Sequence, residues 1–337
     1  MRMTATSKKQ QENTYDLIII GAGTAGLAAG LYAGRYLMKT VIIGAVVGGE
    51  GVTGGMTYNY PGFLEIDGFD LMQKMREQVE HVGVEILHEQ AVAVEKRGHC
   101  FAVRTANSEA VGNTLILATG SERRKLGLPR EAELKGKGIH YCITCDGPLY
   151  RGKTIALVGG GDASVKGLNL IADYVQKIYL IVRGTELKAE PINLEHMKKL
   201  GDKVSVLYET EVRELQGKDR IESVRLSKPY AGSDVLAVDG LFIEIGAVPN
   251  TDFAKQLGVA LDAQGYITTD NLMRTNVDGV FAAGDTVNHF GSFKQYVTAA
   301  ALGTVAATSA YNDHKIHGEL CEIHALPMKA HHHTAVS

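Results

Sequence analysis

Twice in 337 residues an apolar run ends in closely spaced glycines and gives way to a stretch rich in small residues. The first is Asp16-Leu-Ile-Ile-Ile-Gly21-Ala-Gly23-Thr-Ala-Gly26, with a helix expected to about Tyr36 and a second strand over residues 40–43. The second is Thr154-Ile-Ala-Leu-Val-Gly159-Gly-Gly161-Asp162-Ala-Ser164, with a helix expected to about Tyr174 and a strand over 178–182. In such a unit the first glycine permits a tight turn and the second lets a pyrophosphate approach the backbone. The third residue must be small so that helix and strand pack closely, which Ser164 satisfies. The helix start then presents N–H donors and a positive dipole end to an anion. A strand before and a helix and strand after each glycine run make the pattern a βαβ unit, so the chain is expected to bind two nucleotides, or to have lost one of them.

Other segments show how the two units are joined. Thr114-Leu-Ile-Leu-Ala-Thr-Gly120 reads as a buried strand ending in a turn, and Gly279-Val-Phe-Ala-Ala-Gly284-Asp285 as another, followed by an Ala-rich helix over about 295–311. Gly246-Ala-Val-Pro-Asn250 is a loop, its proline fixing φ and its asparagine tolerating turn geometry. The second unit therefore sits inside the first. The expected organisation is 14–120 and 248–316 for an outer nucleotide-binding domain, 121–247 for the insert, and tails at 1–13 and 317–337. The fold class is α/β, two Rossmann-like nucleotide-binding domains of three-layer type, with two crossings between them where a hinge is natural.

The insert carries Tyr141-Cys142-Ile-Thr-Cys145-Asp146-Gly147 just before its glycine run. The other cysteines, Cys100 and Cys321, are far away in sequence, and no second Cys or His pair stands at zinc-ligand spacing, so a catalytic dithiol is expected and no metal. Asp146, next to Cys145, is placed to shuttle the proton that dithiol–disulfide exchange needs, its plainer alternative being a turn aspartate before Gly147-Pro148. His140 could take the same role but reads rather as a loop histidine, and Cys100 as a small buried hydrophobe in an antiparallel excursion. A net charge of −3 gives no reason to expect nucleic acid or an anionic membrane. The N-terminus lacks a signal-peptide core, and the uncharged run 17–33 is too glycine-dense for a bilayer helix. A cytoplasmic location is the expectation, and His331 to His333 read as part of a tail.

Taken together these motifs resemble the low-molecular-weight thioredoxin reductases. Gly48-Gly49-Glu50, Asn59-Tyr60-Pro61-Gly62, Ala118-Thr119-Gly120, the Cys-x-x-Cys-Asp-Gly, Gly246 to Asn250 and Ala283-Gly284-Asp285 follow the family's order over about residues 14–316. The resemblance implies FAD in the outer domain on Gly21, Gly23 and Gly26. Gly49, Glu50 (usually Gln in the family) and Asn59 would lie along it, Gly284 and Asp285 at the ribityl or pyrophosphate portion, and Lys294-Gln295 near the pyrimidine edge of the flavin. Tyr58 and Tyr60 are candidates to flank the ring. It also implies that Cys145 faces the flavin, that Cys142 attacks a partner disulfide, that one domain rotates against the other, and that the protein is a homodimer. The partner would be a thioredoxin- or glutaredoxin-like protein.

The nicotinamide site departs from the family's pattern. Gly159, Gly161, Asp162 and Ser164 are in place, but the usual His-Arg-Arg and further Arg are replaced by Val182-Arg183-Gly184-Thr185-Glu186-Leu187-Lys188. Arg183 remains, Lys188 is a point charge instead of a fork, and Glu186 would repel a 2′-phosphate or accept from a ribose hydroxyl. Lys166 and Gly167 also stand where acids are frequent. NADPH, NADH, and a donor that bypasses the site, such as reduced ferredoxin or a reduced flavin, all stay open. A dithiol oxidase passing electrons to oxygen and a redox-sensing flavoprotein are the alternatives to a disulfide reductase. The basic runs Arg123 to Lys125 and Lys135 to Lys137 read as solvated surface, with partner docking as the other reading.

Overall fold

The computed structural model describes residues 13–53, 55–291 and 293–318. Cys321, the histidines at 331–333 and nearly all of the expected tails lie outside them. The described chain forms two compact units: one runs to Ser121 and resumes at Pro249, the other spans Glu122–Val248.

The outer unit opens with β1 (Thr14–Ile20), α1 (Thr24–Arg35) and β2 (Thr40–Ile43), then α2 (Gly68–His81), β3 (Glu85–Leu87), β4 (Ala93–Arg97), β5 (Cys100–Arg104) and β6 (Glu109–Leu117). Leu17, Ile18 and Ile19 are wholly buried, as a parallel strand covered on both faces requires. β1 lies between β2 and β6, both parallel to it, and β3 adds beyond β2. The far edge of β6 is divided along its length: its first half pairs antiparallel with β5, and β4 follows. Cys100 is buried in that antiparallel excursion. α2 is started by Asp67, whose carboxylate accepts from Phe69 N at 2.8 Å. It buries Leu71, Met72, Met75 and Val79 along one stripe.

The insert begins with β7 (Ser121–Arg123), α3 (Glu131–Leu134), β8 (Ile139–His140), α4 (Ile143–Asp146), β9 (Thr154–Val158), α5 (Asp162–Ile171), β10 (Lys177–Ile181), α6 (Pro191–Lys199) and β11 (Val204–Leu207). It continues with β12 (Val212–Gln216), β13 (Ser223–Tyr230), β14 (Ser233–Ala237), β15 (Gly240–Ile243) and β16 (Ala247–Pro249). Five strands form a parallel sheet in the order β8-β15-β9-β10-β11, and β12-β13-β14 form a separate antiparallel sheet. β7 and β16, the segments that enter and leave the insert, pair with each other.

The chain then returns to the outer unit through α7 (Asp252–Gln256), β17 (Val280–Ala282) and α8 (Tyr296–His317). β17 fills the second half of the far edge of β6, in parallel. α8 lies against α1 so closely that a Cβ on Gly303 would fall 2.1 Å from Ala25 O. α1 is thus covered on several sides, which explains a helix with hardly any polar face. α8 runs six residues past the expected end at Tyr311. His314 in that extra turn accepts from Asn113 Nδ2 at 3.2 Å and sits 3.6 Å from Asp16, contacts that hold the last turn to β1 and β6. Among the described residues no helix is long and apolar enough to cross a membrane.

Candidate functional site: two glycine loops and a disulfide

In the outer unit the glycines of the first loop do different work. Gly21 has φ +114°, and a Cβ there would lie 2.1 Å from Ala118 O; on Gly26 it would lie 1.8 Å from Gly21 O. These two exist for the close approach of backbone to backbone. Gly23 is different: a Cβ there would meet only Gly48 O, at 4.0 Å. The space above the start of α1 is therefore open, and Gly23 caps that helix with no side-chain bond. Open space, a bare helix start and no acidic residue in the first turn are what a pyrophosphate needs.

Beside this loop, Gly48 N donates to Ala22 O at 2.7 Å, and Gly49 begins a short helical turn, Gly49–Thr53, that carries the exposed Glu50. Asn59, 236 residues away from Gln295 in sequence, donates from Nδ2 to Gln295 Oε1 at 3.0 Å. Gln295 caps α8 reciprocally with Thr298, and Tyr296 OH donates to Gly51 O at 3.1 Å. Gly49, Glu50 and Asn59 are thus tied to the start of α8. Gly284 and Asp285 form the turn after β17, where a Cβ on Gly284 (φ +81°) would fall 2.8 Å from Ala25 Cβ. They line one small pocket with Val287, Lys294 and Thr298. The Lys294 amine donates to Val287 O and lies 4.5 Å from the centre of the Tyr266 ring. Burial holds its pKa below the usual lysine value, against the pull of Asp285 and Asp262. Tyr60 packs on the core, whereas Tyr58 is exposed.

In the insert, Gly159 has φ +140°, and a Cβ there would lie 2.2 Å from both Glu244 O and Ser164 Oγ. Ser164, completely buried, donates to Glu244 O at 2.9 Å, so the third position of this loop is a hydrogen bond and not merely a small side chain. Gly161 has open space about it, like Gly23. Asp162, in the first turn of α5, accepts from Glu190 N at 2.8 Å and Asn193 Nδ2 at 2.9 Å, and Lys188 N donates to Gly160 O at 2.7 Å. Asp162 and the loop backbone therefore hold the segment after β10 alongside the glycines. Arg183, Glu186 and Lys188 in that segment are all exposed. Arg123 is committed to an ion pair at 2.8 Å with Glu244, whose side chain is 6% exposed.

The sulfurs of Cys142 and Cys145 are joined, with their Cα atoms 5.4 Å apart. Cys142 caps the one-turn helix α4, and its sulfur accepts from Cys145 N at 3.2 Å. Cys145 is exposed and Cys142 half-buried. Ile143 between them is buried and anchors the turn on α5: Gly167 leaves the room, because a Cβ there would lie 2.5 Å from Ile143 Cδ1. His140 is no loop residue. It lies in β8, 6% exposed, because its ring is walled by Phe242 and Tyr150 at centroid distances of 5.2 and 5.4 Å. Its Nδ1 is 2.9 Å from Asp146 Oδ2, and its Nε2 is 2.7 Å from Tyr150 OH. Sequence spacing carries no signal for this group, since residues 140, 146 and 150 lie on three separate short elements, β8, α4 and the turn after it.

Residues 15–303 match the model of the pyridine nucleotide-disulphide oxidoreductases. The chain belongs to that family. Within it, this oxidoreductase is 36% identical over 302 residues to the thioredoxin reductase of Treponema pallidum, covering 89% of this chain and 97% of that one. It is 38% identical over 308 residues to the thioredoxin reductase of Peptoclostridium acidaminophilum, covering 89% and 96%. Among solved structures, Lactococcus lactis thioredoxin reductase superposes with a TM-score of 0.84 at 34% identity, covering 89% of this oxidoreductase and 98% of that chain. T. acidophilum thioredoxin reductase gives 0.83 at 31%, covering 89% and 99%.

Proposed function

We propose that this oxidoreductase is a FAD-dependent disulfide reductase of the thioredoxin reductase type, working on a thioredoxin- or glutaredoxin-like protein. The observation that carries the reading is the Cys142–Cys145 disulfide, with Asp146 next to it, on a unit built around a second dinucleotide-type loop.

FAD, held in the outer unit on Gly21, Gly23 and Gly26 and along Gly49, Glu50, Asn59, Gly284, Asp285, Lys294 and Gln295, would relay two electrons from a donor to the disulfide. The open space at Gly23 and the uncapped start of α1 support that placement. The Cys142–Cys145 bond takes up two electrons and two protons and opens to the dithiol, Asp146 delivering one proton to a departing sulfur. Cys142 as thiolate then attacks the partner's disulfide, forming a mixed disulfide and expelling a partner thiolate, which takes a proton. The N–H of Cys145 favours negative charge on the Cys142 sulfur. Attack by Cys145 on Cys142 restores the intramolecular bond and releases the second partner thiol, so the two electrons and two protons taken up by the Cys142–Cys145 pair pass to the partner. Gly159, Gly161, Asp162 and Ser164 would shape the nicotinamide nucleotide site, with Arg183 and Lys188 as the cations for a 2′-phosphate. The protein would work in the cytoplasm as a homodimer.

The test is anaerobic titration of the flavin-loaded protein with NADPH and then NADH, following flavin absorbance. Bleaching by NADPH at low concentration supports Arg183 and Lys188 as sufficient. Preference for NADH assigns Glu186 to the ribose. No bleaching by either, with bleaching by reduced ferredoxin or a reduced flavin, moves the donor elsewhere; rapid oxygen consumption on dithiol would make the enzyme an oxidase.

A further inference from the structure

Behind the disulfide stands a chain of three polar groups that disulfide chemistry alone does not call for. Tyr150 (5% exposed), His140 (6% exposed) and Asp146 (about a third exposed) are joined by bonds of 2.7 and 2.9 Å to opposite nitrogens of one imidazole. Nδ1–H donates to Asp146 Oδ2, and Nε2 shares a hydrogen with the Tyr150 hydroxyl. Burial pushes the Tyr150 hydroxyl above its ordinary pKa, so it keeps its proton. The ring cannot turn to another partner, because Phe242 from β15 stacks on one face and Tyr150 meets its edge.

We propose that His140, locked by Tyr150, is the positioning residue for Asp146: it engages Oδ2 so that Oδ1 carries the transferable proton toward the disulfide. This rests on the reading of Asp146 as the acid in disulfide opening. The consequence is geometric. A carboxyl next to a dithiol on a one-turn helix rotates freely unless held, and a general acid is effective only within hydrogen-bond reach of the atom it protonates. The charged groups bearing on the trio are Asp146 itself, Arg220 and Asp239, the latter two acting at Tyr150. β8 supplies His140, the short turn after α4 supplies Tyr150, and β15 supplies the ring of Phe242.

The experiment follows reduction of the disulfide by dithiothreitol in the flavin-loaded protein without nicotinamide. Aliquots are quenched with a maleimide, and the peptide bearing both cysteines is weighed by mass spectrometry. One dithiothreitol thiolate attacks, the departing protein sulfur takes a proton, and the second dithiothreitol thiol closes its ring to release the dithiol. Asp146→Asn is expected to slow this roughly 100-fold. His140→Phe, which keeps a ring against Phe242 but has no donor, is expected to slow it roughly 10- to 100-fold, the worth of one hydrogen bond to the carboxylate charge that develops as the proton leaves. His140→Asn places an N–H donor close to the position of Nδ1 and should stay within about threefold of the parent. Tyr150→Phe should fall between. Far-UV circular dichroism and flavin absorbance check that each variant folds. If Asp146→Asn is slow but His140→Phe is not, the positioning role is overturned while the acid stands. Equal loss in His140→Phe and His140→Asn overturns it in favour of packing. An unchanged rate in Asp146→Asn removes the acid itself, and the positioning role with it.

Discussion

Replacing Gly167 by alanine would set a Cβ 2.5 Å from Ile143 Cδ1 and 3.4 Å from Ile143 Cβ, against a side chain that is 4% exposed and lies between the two cysteines. Two effects oppose. Alanine in the interior of α5 gains about 0.8–1 kcal/mol over glycine, while overpacking of this kind costs about 1–3 kcal/mol. The single change should therefore be neutral to destabilising, by about 0–2 kcal/mol. Ile143→Ala alone leaves a cavity under α4 and should cost about 2–4 kcal/mol. In the double variant the obstruction is gone, so the alanine at 167 contributes its helix preference and fills part of that cavity. Gly167→Ala then changes sign and stabilises by about 1 kcal/mol or more, a coupling of about 1–3 kcal/mol. The measurement is urea unfolding of all four proteins by far-UV circular dichroism, comparing midpoints at unchanged slope. The same set should show the dithiothreitol reduction rate disturbed in both singles and partly restored in the double. Effects that simply add, within about 0.5 kcal/mol, would show that Ile143 does not dock the disulfide turn on α5.

Gly23→Ala should leave the apoprotein within about 1 kcal/mol of the parent, because φ is −79° and the space is open, yet weaken FAD binding at least about tenfold in a fluorescence titration. Gly26→Ala, whose Cβ would sit 1.8 Å from Gly21 O, should instead destabilise the fold by at least about 2 kcal/mol, seen as a lowered unfolding midpoint with or without flavin. Ser164→Ala removes the buried bond to Glu244 O and should cost about 1–2 kcal/mol in the same unfolding assay. If NADPH is the donor, Arg183→Ala should raise its KM about tenfold with kcat little changed, and should affect NADH far less; equal effects on both would place Arg183 away from the 2′-phosphate.

Local chemistry made much of this protein legible before any tertiary contact was known. The run of Leu17 to Ile20 leads into glycines whose spacing is dictated by turn, phosphate and packing requirements a few residues apart, and the same holds for residues 154–164. The Cys142–Cys145 pair and its adjacent acid are equally local, closing over three residues. Contacts without a periodic signature were not legible. His140 looks like a loop residue until β15 brings Phe242 onto its ring and Tyr150 turns back to its Nε2. Nothing near Lys294 in the chain indicates that its amine is occupied by Val287 O and the face of Tyr266. The last turn of α8 carries a polar sequence with no apolar stripe, and it persists because His314 finds Asn113 and Asp16. Asn59 meets Gln295 across 236 residues, and Arg123 meets Glu244 across 121. The difference is physical: backbone geometry and short-range hydrogen bonding act between near neighbours and leave a pattern in the sequence. The orientation of a buried polar side chain is set by whichever distant strand closes over it.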